Sequence, residues 1–231
     1  MLVLRPVLAL GLQAAVTLGF TLAAAPDPGR AAADWWLAWF AVASIVNLVI
    51  LRALLQREGV SVRDFYLGHD RGSDRATDLK WVAGGLVVAG PLGMLPNLFL
   101  STALWGDTSV GATLSFRPLP IMAGLAILAV FPVVHALAEL PTYFGYVMPR
   151  LASSTGWRLR AVVVCACVLS LQHVFLPLLF DWRYIVWRAL MFLPFALWLG
   201  YVIYRRPTSL PYLVAAHALL DASLPIAVLM A

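Results

Sequence analysis

The stretch LPIMAGLAILAVFPVVHALAELPTYFGYV, running from Leu119 to Val147, decides the fold class. At 1.5 Å per residue a helix of this length exceeds the hydrocarbon thickness of a bilayer, and apolar side chains fill it almost without interruption. Its two charged or readily charged side chains before the tyrosines are His135 and Glu139, four positions apart and therefore on one helical face. A soluble core helix has no need of such length. A membrane span has, and it tolerates a carboxylate only where something useful or well paired is done with it.

Six further stretches read the same way: about Pro6 to Ala25, Trp35 to Leu55, Trp81 to Leu104, Ala161 to Phe180, Tyr184 to Tyr204 and Leu210 to Ala231. With 62% hydrophobic and 12% charged residues over 231 positions, the chain is expected to be all-α, a polytopic transmembrane bundle of about seven spans forming a single membrane domain over 1–231. Arg5 before the first apolar run and Ala23-Ala24-Ala25 after it also resemble a signal peptide. Pro26 directly after that end argues against cleavage and favours a retained helix.

Basic residues fall unevenly between the two faces that seven spans define. One face collects Arg5, Arg52, Arg57, Arg63, Arg71, Arg75, Lys80, Arg150, Arg158, Arg160, Arg205 and Arg206, and the other Arg30, Arg117 and Arg183, a bias of 12 to 3. The expectation is a cytoplasmic N-terminus. The net charge of +5 then reflects topology and anionic headgroups, with the lipid bilayer as partner and no nucleic acid. Short loops and an Arg- and Ala-rich composition suggest a bacterial inner membrane.

Several features read as architecture. Gly85, Ala89 and Gly93 form a small-residue stripe along which another helix can approach closely. Trp35, Trp36, Trp105, Trp157 and Trp182 lie at span ends, as interfacial anchors do, and Arg188 is near enough to an outer end to snorkel. Cys165 and Cys167 diverge by about 200° on one helix and read as small core residues. The polar stretch from Gln56 to Lys80 is a mixed-charge loop with room for a short interfacial helix at Val62 to Leu67, and His69 within it reads as an exposed loop residue.

Four ionisable residues remain within apolar spans: Glu139, His173, His217 and Asp221. Each costs roughly 2.5 kcal/mol or more at the bilayer centre. Counted from Arg150, Arg160 and Arg206, they lie at depths of roughly 16, 20, 16 and 22 Å. His217 and Asp221 share a face as i and i+4, and His135 and Glu139 do likewise, so His135 is a possible addition. A lone buried histidine is commonly a helix-to-helix hydrogen-bonding residue, and a lone carboxylate can be neutral. The common depth of four such residues on three helices points instead to one site.

These residues resemble the motifs of the CPBP family, also called Abi, of CAAX prenyl proteases and bacteriocin-processing proteins, over about residues 119–231. Glu139-Leu140-Pro141-Thr142-Tyr143-Phe144-Gly145-Tyr146 is similar to its first motif, two glutamates followed by an aromatic and an arginine-glycine pair. Leu140 stands at the second glutamate and Phe144 at the arginine. Leu169 to His173 is similar to the second motif, with leucine in place of an aromatic, and His217 with Asp221 to the third. The resemblance implies an intramembrane endopeptidase acting on a peptide or protein substrate in the membrane, such as a prenylated C-terminal peptide or a leader peptide. Glu139 would activate water with help from His173, while His217 and Asp221 bind the carbonyl or oxyanion. A zinc-dependent version would place the metal on His173 and His217 with Glu139 or Asp221. An inactive relative acting as a scaffold, or a proton-coupled carrier, are the alternatives, although the chain has no convincing internal repeat.

Overall fold

A computed structural model describes residues 1–67 and 74–230, so His69 and the charged residues Asp70 and Arg71 lie outside the described residues. Every element among the described residues is helical. In chain order these are α1 (Leu4–Leu22), α2 (Pro28–Asp34), α3 (Trp36–Arg57), α4 (Val62–Leu67), α5 (Arg75–Trp105), α6 (Val110–Ser115) and α7 (Ile121–Leu140). A π-helical turn, Pro141–Val147, joins α7 to α8 (Met148–Thr155), and α9 (Arg158–Gln172) ends in a 3-10 turn, His173–Phe175. Then come α10 (Trp182–Met191), α11 (Leu193–Arg205), α12 (Leu210–Asp221) and α13 (Ser223–Met230). Seven helical stretches among the described residues are long and apolar enough to span a bilayer, each coinciding with one of the expected spans.

Local chemistry explains the boundaries. Asp27, Asp74 and Asp181 cap α2, α5 and α10 by accepting backbone amide hydrogen bonds. Gly106 and Gly156 end α5 and α8 in the left-handed region at φ 77° and 70°, where a side chain would be strained. Proline interrupts the later spans: Pro141 opens the π turn, Pro194 lies in the first turn of α11, and Pro225 follows the break between α12 and α13. Each lacks the amide that would bond four residues back.

α7 is central, packing against α3 and α12, while α11 lies against α9 and α5. The stripe on α5 does as expected: a Cβ on Gly85 would lie 3.5 Å from Val202 and one on Gly93 would lie 3.6 Å from Phe195, so α11 fits closely there. Trp198 adds a hydrogen bond to the Gly85 carbonyl at 2.8 Å. α4 has the expected bounds. It is folded onto the bundle, with Phe65 against Gly145 and the Tyr66 hydroxyl donating to the Leu137 carbonyl at 2.7 Å.

Two expectations are corrected. Arg188 does not snorkel: it is 3% exposed, donates to the Leu176 carbonyl, and lies 5.5–5.8 Å from the Trp36, Tyr184 and Trp187 rings. Its helix turns that face inward, where the bend after α9 leaves a carbonyl needing a donor. Trp36 is likewise no interfacial anchor, since it is buried and its indole donates to the Ser115 carbonyl at 2.9 Å.

At the end of the bundle expected to be cytoplasmic, ion pairs tie the turns together. Asp78, 1% exposed, accepts from Arg206 Nε at 2.9 Å and from the Thr208 hydroxyl at 2.8 Å. Glu58 accepts from the Tyr146 hydroxyl at 2.6 Å and from Arg150. Those two donors, the tyrosine first, hold the Glu58 carboxyl below its ordinary range.

Candidate functional site

Glu139 is the penultimate residue of α7, immediately before the backbone changes from α to π geometry, and it is 1% exposed. Insertions of π geometry in an α-helix are frequent at functional sites because they re-aim side chains. Here the cause is local. Pro141 has no amide to offer the Leu137 carbonyl, and the Tyr66 hydroxyl from α4 serves that carbonyl instead. The turn also places the Tyr143 hydroxyl 3.0 Å from Gln172 Oε1.

The two oxygens of Glu139 have different surroundings. Oε2 accepts from the Gln172 amide, lies 3.4 Å from His135 Nε2 and 3.6 Å from Arg5 Nη2. Oε1 lies 3.2 Å from His217 Nε2, which is also 3.5 Å from Asp221 Oδ2. Neither contact is aligned as a hydrogen bond: both ring nitrogens of His217 and Oδ2 of Asp221 are buried without a hydrogen-bond partner in the protein. The carboxylate is thus anchored through one oxygen and faces two underused polar groups through the other. Buried polar groups in that condition mark a place where a ligand or solvent atom completes the bonding.

Of the residues expected from the sequence, Glu139, His217 and Asp221 come together, and His135 joins them, its ring centroid 5.7 Å from that of His217. His135 is stacked on Phe131 at 4.9 Å and flanked by Phe40 at 5.3 Å, which fixes its plane. His173 stands apart. It opens the 3-10 turn after α9, where Nδ1 donates to the Leu169 carbonyl at 2.9 Å and the ring packs on Phe192 at 4.3 Å. It makes no ion pair with Glu139, though it is within reach of that residue's field.

Three members were missed at the sequence level: Arg5, Gln172 and Tyr143. Arg5 falls by sequence among the basic residues of the face expected to be cytoplasmic, whereas it is 1% exposed, inside the bundle, and donates from Nε to Gln172 Oε1 at 3.0 Å. The signal was available, because α1 begins at Leu4 and an arginine in the first turn of an apolar helix can face inward. Gln172 is adjacent to the expected histidine and carries a polar amide in an otherwise apolar helix end. In the sequence Tyr143 stands out only as the aromatic of a motif.

Ligand atoms of His135, His217 and Asp221 all lie within 4.8 Å of one another, so spacing alone would permit a metal ion. The proton positions do not suit one. Arg5 Nη2 is 3.0 Å from His135 Nδ1, and a guanidinium is always the donor, so that nitrogen spends its lone pair on Arg5. A ring hydrogen on Nε2 would be directed at Glu139, 3.4 Å away. With both of its nitrogens engaged, and an arginine cation beside the carboxylate, His135 does not fit a zinc ligand, so the grouping of His135 with His217 and Asp221 does not fit a zinc centre.

Residues 120–223 match the family model described as Rce1-like, type II CAAX prenyl endopeptidase Rce1-like, and bear out the resemblance read from the motifs over that segment. No curated protein and no solved structure matches the chain.

Proposed function

From the Rce1-like character of residues 120–223, we propose that this membrane-embedded helical protein is an intramembrane endopeptidase in which Glu139 is the general base. One observation carries the reading: Glu139 Oε2 is held by Arg5, His135 and Gln172, while Oε1 faces His217 and Asp221, whose ring nitrogens and Oδ2 make no aligned hydrogen bond within the protein. A base needs this division. The held oxygen fixes the carboxylate in orientation, and the second keeps a lone pair for the proton of an attacking water. General-base assistance of this kind contributes roughly 10²–10⁴ in rate.

In this reading His217, across from Oε1, receives the scissile carbonyl and the oxyanion that develops on it. Asp221 acts through His217, because a carboxylate donates a hydrogen bond only when protonated, whereas as an acceptor it can orient the imidazole and stabilise its positive charge. His173, with Nδ1 tied to Leu169, keeps its Nε2 lone pair for a substrate amide or a second water. The substrate is a peptide within or at the membrane, of which a prenylated C-terminal peptide best suits the family description. A small apolar crevice between α5, α11 and α12, walled by Leu86, Phe195, Leu199, Leu213 and Leu220, reaches His217 and offers an apolar approach.

The test is cleavage of a prenylated C-terminal peptide and of a membrane-anchored reporter peptide by the purified protein in liposomes. Glu139→Gln is expected to abolish cleavage at undiminished protein abundance, and wild-type turnover is expected to persist in a tight divalent-metal chelator. Turnover retained by Glu139→Gln would remove the assigned base. A wild-type protein that cleaves neither substrate, yet loses its cellular phenotype only when abundance falls, would favour the scaffold reading.

A further inference from the structure

We propose that Arg5 is the positioning residue of the site: delivered from α1, it holds His135 as the Nε2–H tautomer and supplies the counter-charge that keeps one oxygen of Glu139 anchored. Its consequence for turnover rests on the endopeptidase reading; its effect on the His135 proton does not.

The argument begins with donors and acceptors. Arg5 meets Gln172 Oε1 through Nε at 3.0 Å, His135 Nδ1 through Nη2 at 3.0 Å, and Glu139 Oε2 at 3.6 Å. All four residues are 1–4% exposed, so the network is closed off from bulk solvent. Because arginine retains its protons, His135 Nδ1 must accept, and the ring hydrogen is driven to Nε2, on the Glu139 side. Gln172 is oriented by the same cation: Oε1 takes both Arg5 and the Tyr143 hydroxyl, leaving its amide to donate to Glu139. One guanidinium therefore sets the direction of every hydrogen bond that reaches Oε2. Its face also lies 4.9 Å from the Phe40 ring, which fixes the plane of the fork.

The position where the motif resemblance expects an arginine could not do this here. Phe144 is 1% exposed and its ring edge fills the space beside Gly200, where a Cβ would approach to 2.6 Å. That site belongs to the packing between the π turn and α11. The cation enters from the opposite end of the chain, 134 positions before Glu139.

The proton position is directly observable. The chain has four histidines, so nitrogen NMR of protein labelled with [15N]histidine, in detergent micelles at neutral pH, can be assigned by single His→Gln substitutions. Wild-type His135 is expected to show an unprotonated Nδ1 and a protonated Nε2. A protonated Nδ1 would overturn the proposal without any variant of Arg5 having to fold. Arg5→Met, matched in length but uncharged, is expected to release His135 into a mixture of tautomers or a doubly protonated ring, and an unchanged His135 spectrum in a folded Arg5→Met protein would also overturn it.

In the cleavage assay Arg5→Met is expected to lower kcat by about 10- to 100-fold, the equivalent of one charge-assisted hydrogen bond, with KM little changed. Arg5→Lys keeps the charge and is expected to recover part of kcat. A loss confined to KM would contradict a positioning role. If the tautomer behaves as expected but the wild-type protein cleaves no peptide, the endopeptidase reading fails and the assignment of Arg5 stands.

Discussion

Gln172 and His173 are neighbours, yet it is the glutamine that reaches Glu139, because α9 ends between them and the tightened turn swings His173 onto Phe192. A residue's type advertised one partner and the backbone delivered another. Tyr66 makes the same point from the loop side. Its hydroxyl repairs the Leu137 carbonyl that Pro141 leaves without its usual amide, and burial pushes the phenol pKa upward, so it stays a donor at any ordinary pH. Tyr66→Phe keeps the ring and removes only that bond. An unpaired buried carbonyl costs about 1–3 kcal/mol, so a lowered thermal midpoint in detergent is expected, together with weakened peptide cleavage as the turn carrying Glu139 loosens. A midpoint equal to wild type would mean that Leu137 has another donor. Neither Gln172 nor Tyr66 could be assigned from the sequence, since a polar side chain near a helix end does not disclose which way the end is wound.

At the scale of elements, the expected polar residues gather where helices stop: Glu139 just before the π turn, His173 at the start of a 3-10 turn, Asp221 as the last residue of α12. Irregular backbone at membrane depth is tolerated only inside protein or along a cavity, which is where these three ends lie. Proline explains two of these interruptions, through Pro141 and Pro225, but a proline by itself does not dictate that a π turn results. The turn is kept in place by close packing: a Cβ on Gly200 would come within 2.6 Å of the Phe144 ring and 3.1 Å of Val162. Gly200→Ala is accordingly expected to destabilise by about 1–3 kcal/mol, read as a lower thermal midpoint in detergent. Gly84→Ala on α5 is the control, for a Cβ there meets nothing within 4 Å, and it is expected to be neutral or slightly stabilising. Equal midpoints for the two variants would show that Phe144 can move aside and that the packing does not define the turn.

For the whole molecule, the charged residues Glu58, Asp78, Arg150 and Arg206 pair off at one end of the bundle, the end expected from the basic-residue bias to be cytoplasmic. Removing Arg5 from that tally leaves the bias intact, as 11 to 3. In a background without Cys165 and Cys167, Ser154→Cys is expected to resist a membrane-impermeant thiol reagent in intact cells and to react in inverted vesicles, with Thr108→Cys behaving oppositely. The reverse pattern would invert the topology. Class, number of spans and the identity of Glu139, His217 and Asp221 as companions were determined by the sequence alone, because hydropathy and length are local and because depth can be counted from a charged helix end. The tertiary structure alone decided the proton network. Its defining contact joins Arg5 to Gln172 across 167 positions, and whether a side chain at a known depth faces a partner or the lipid depends on the rotation of its helix, which packing sets and periodicity leaves free.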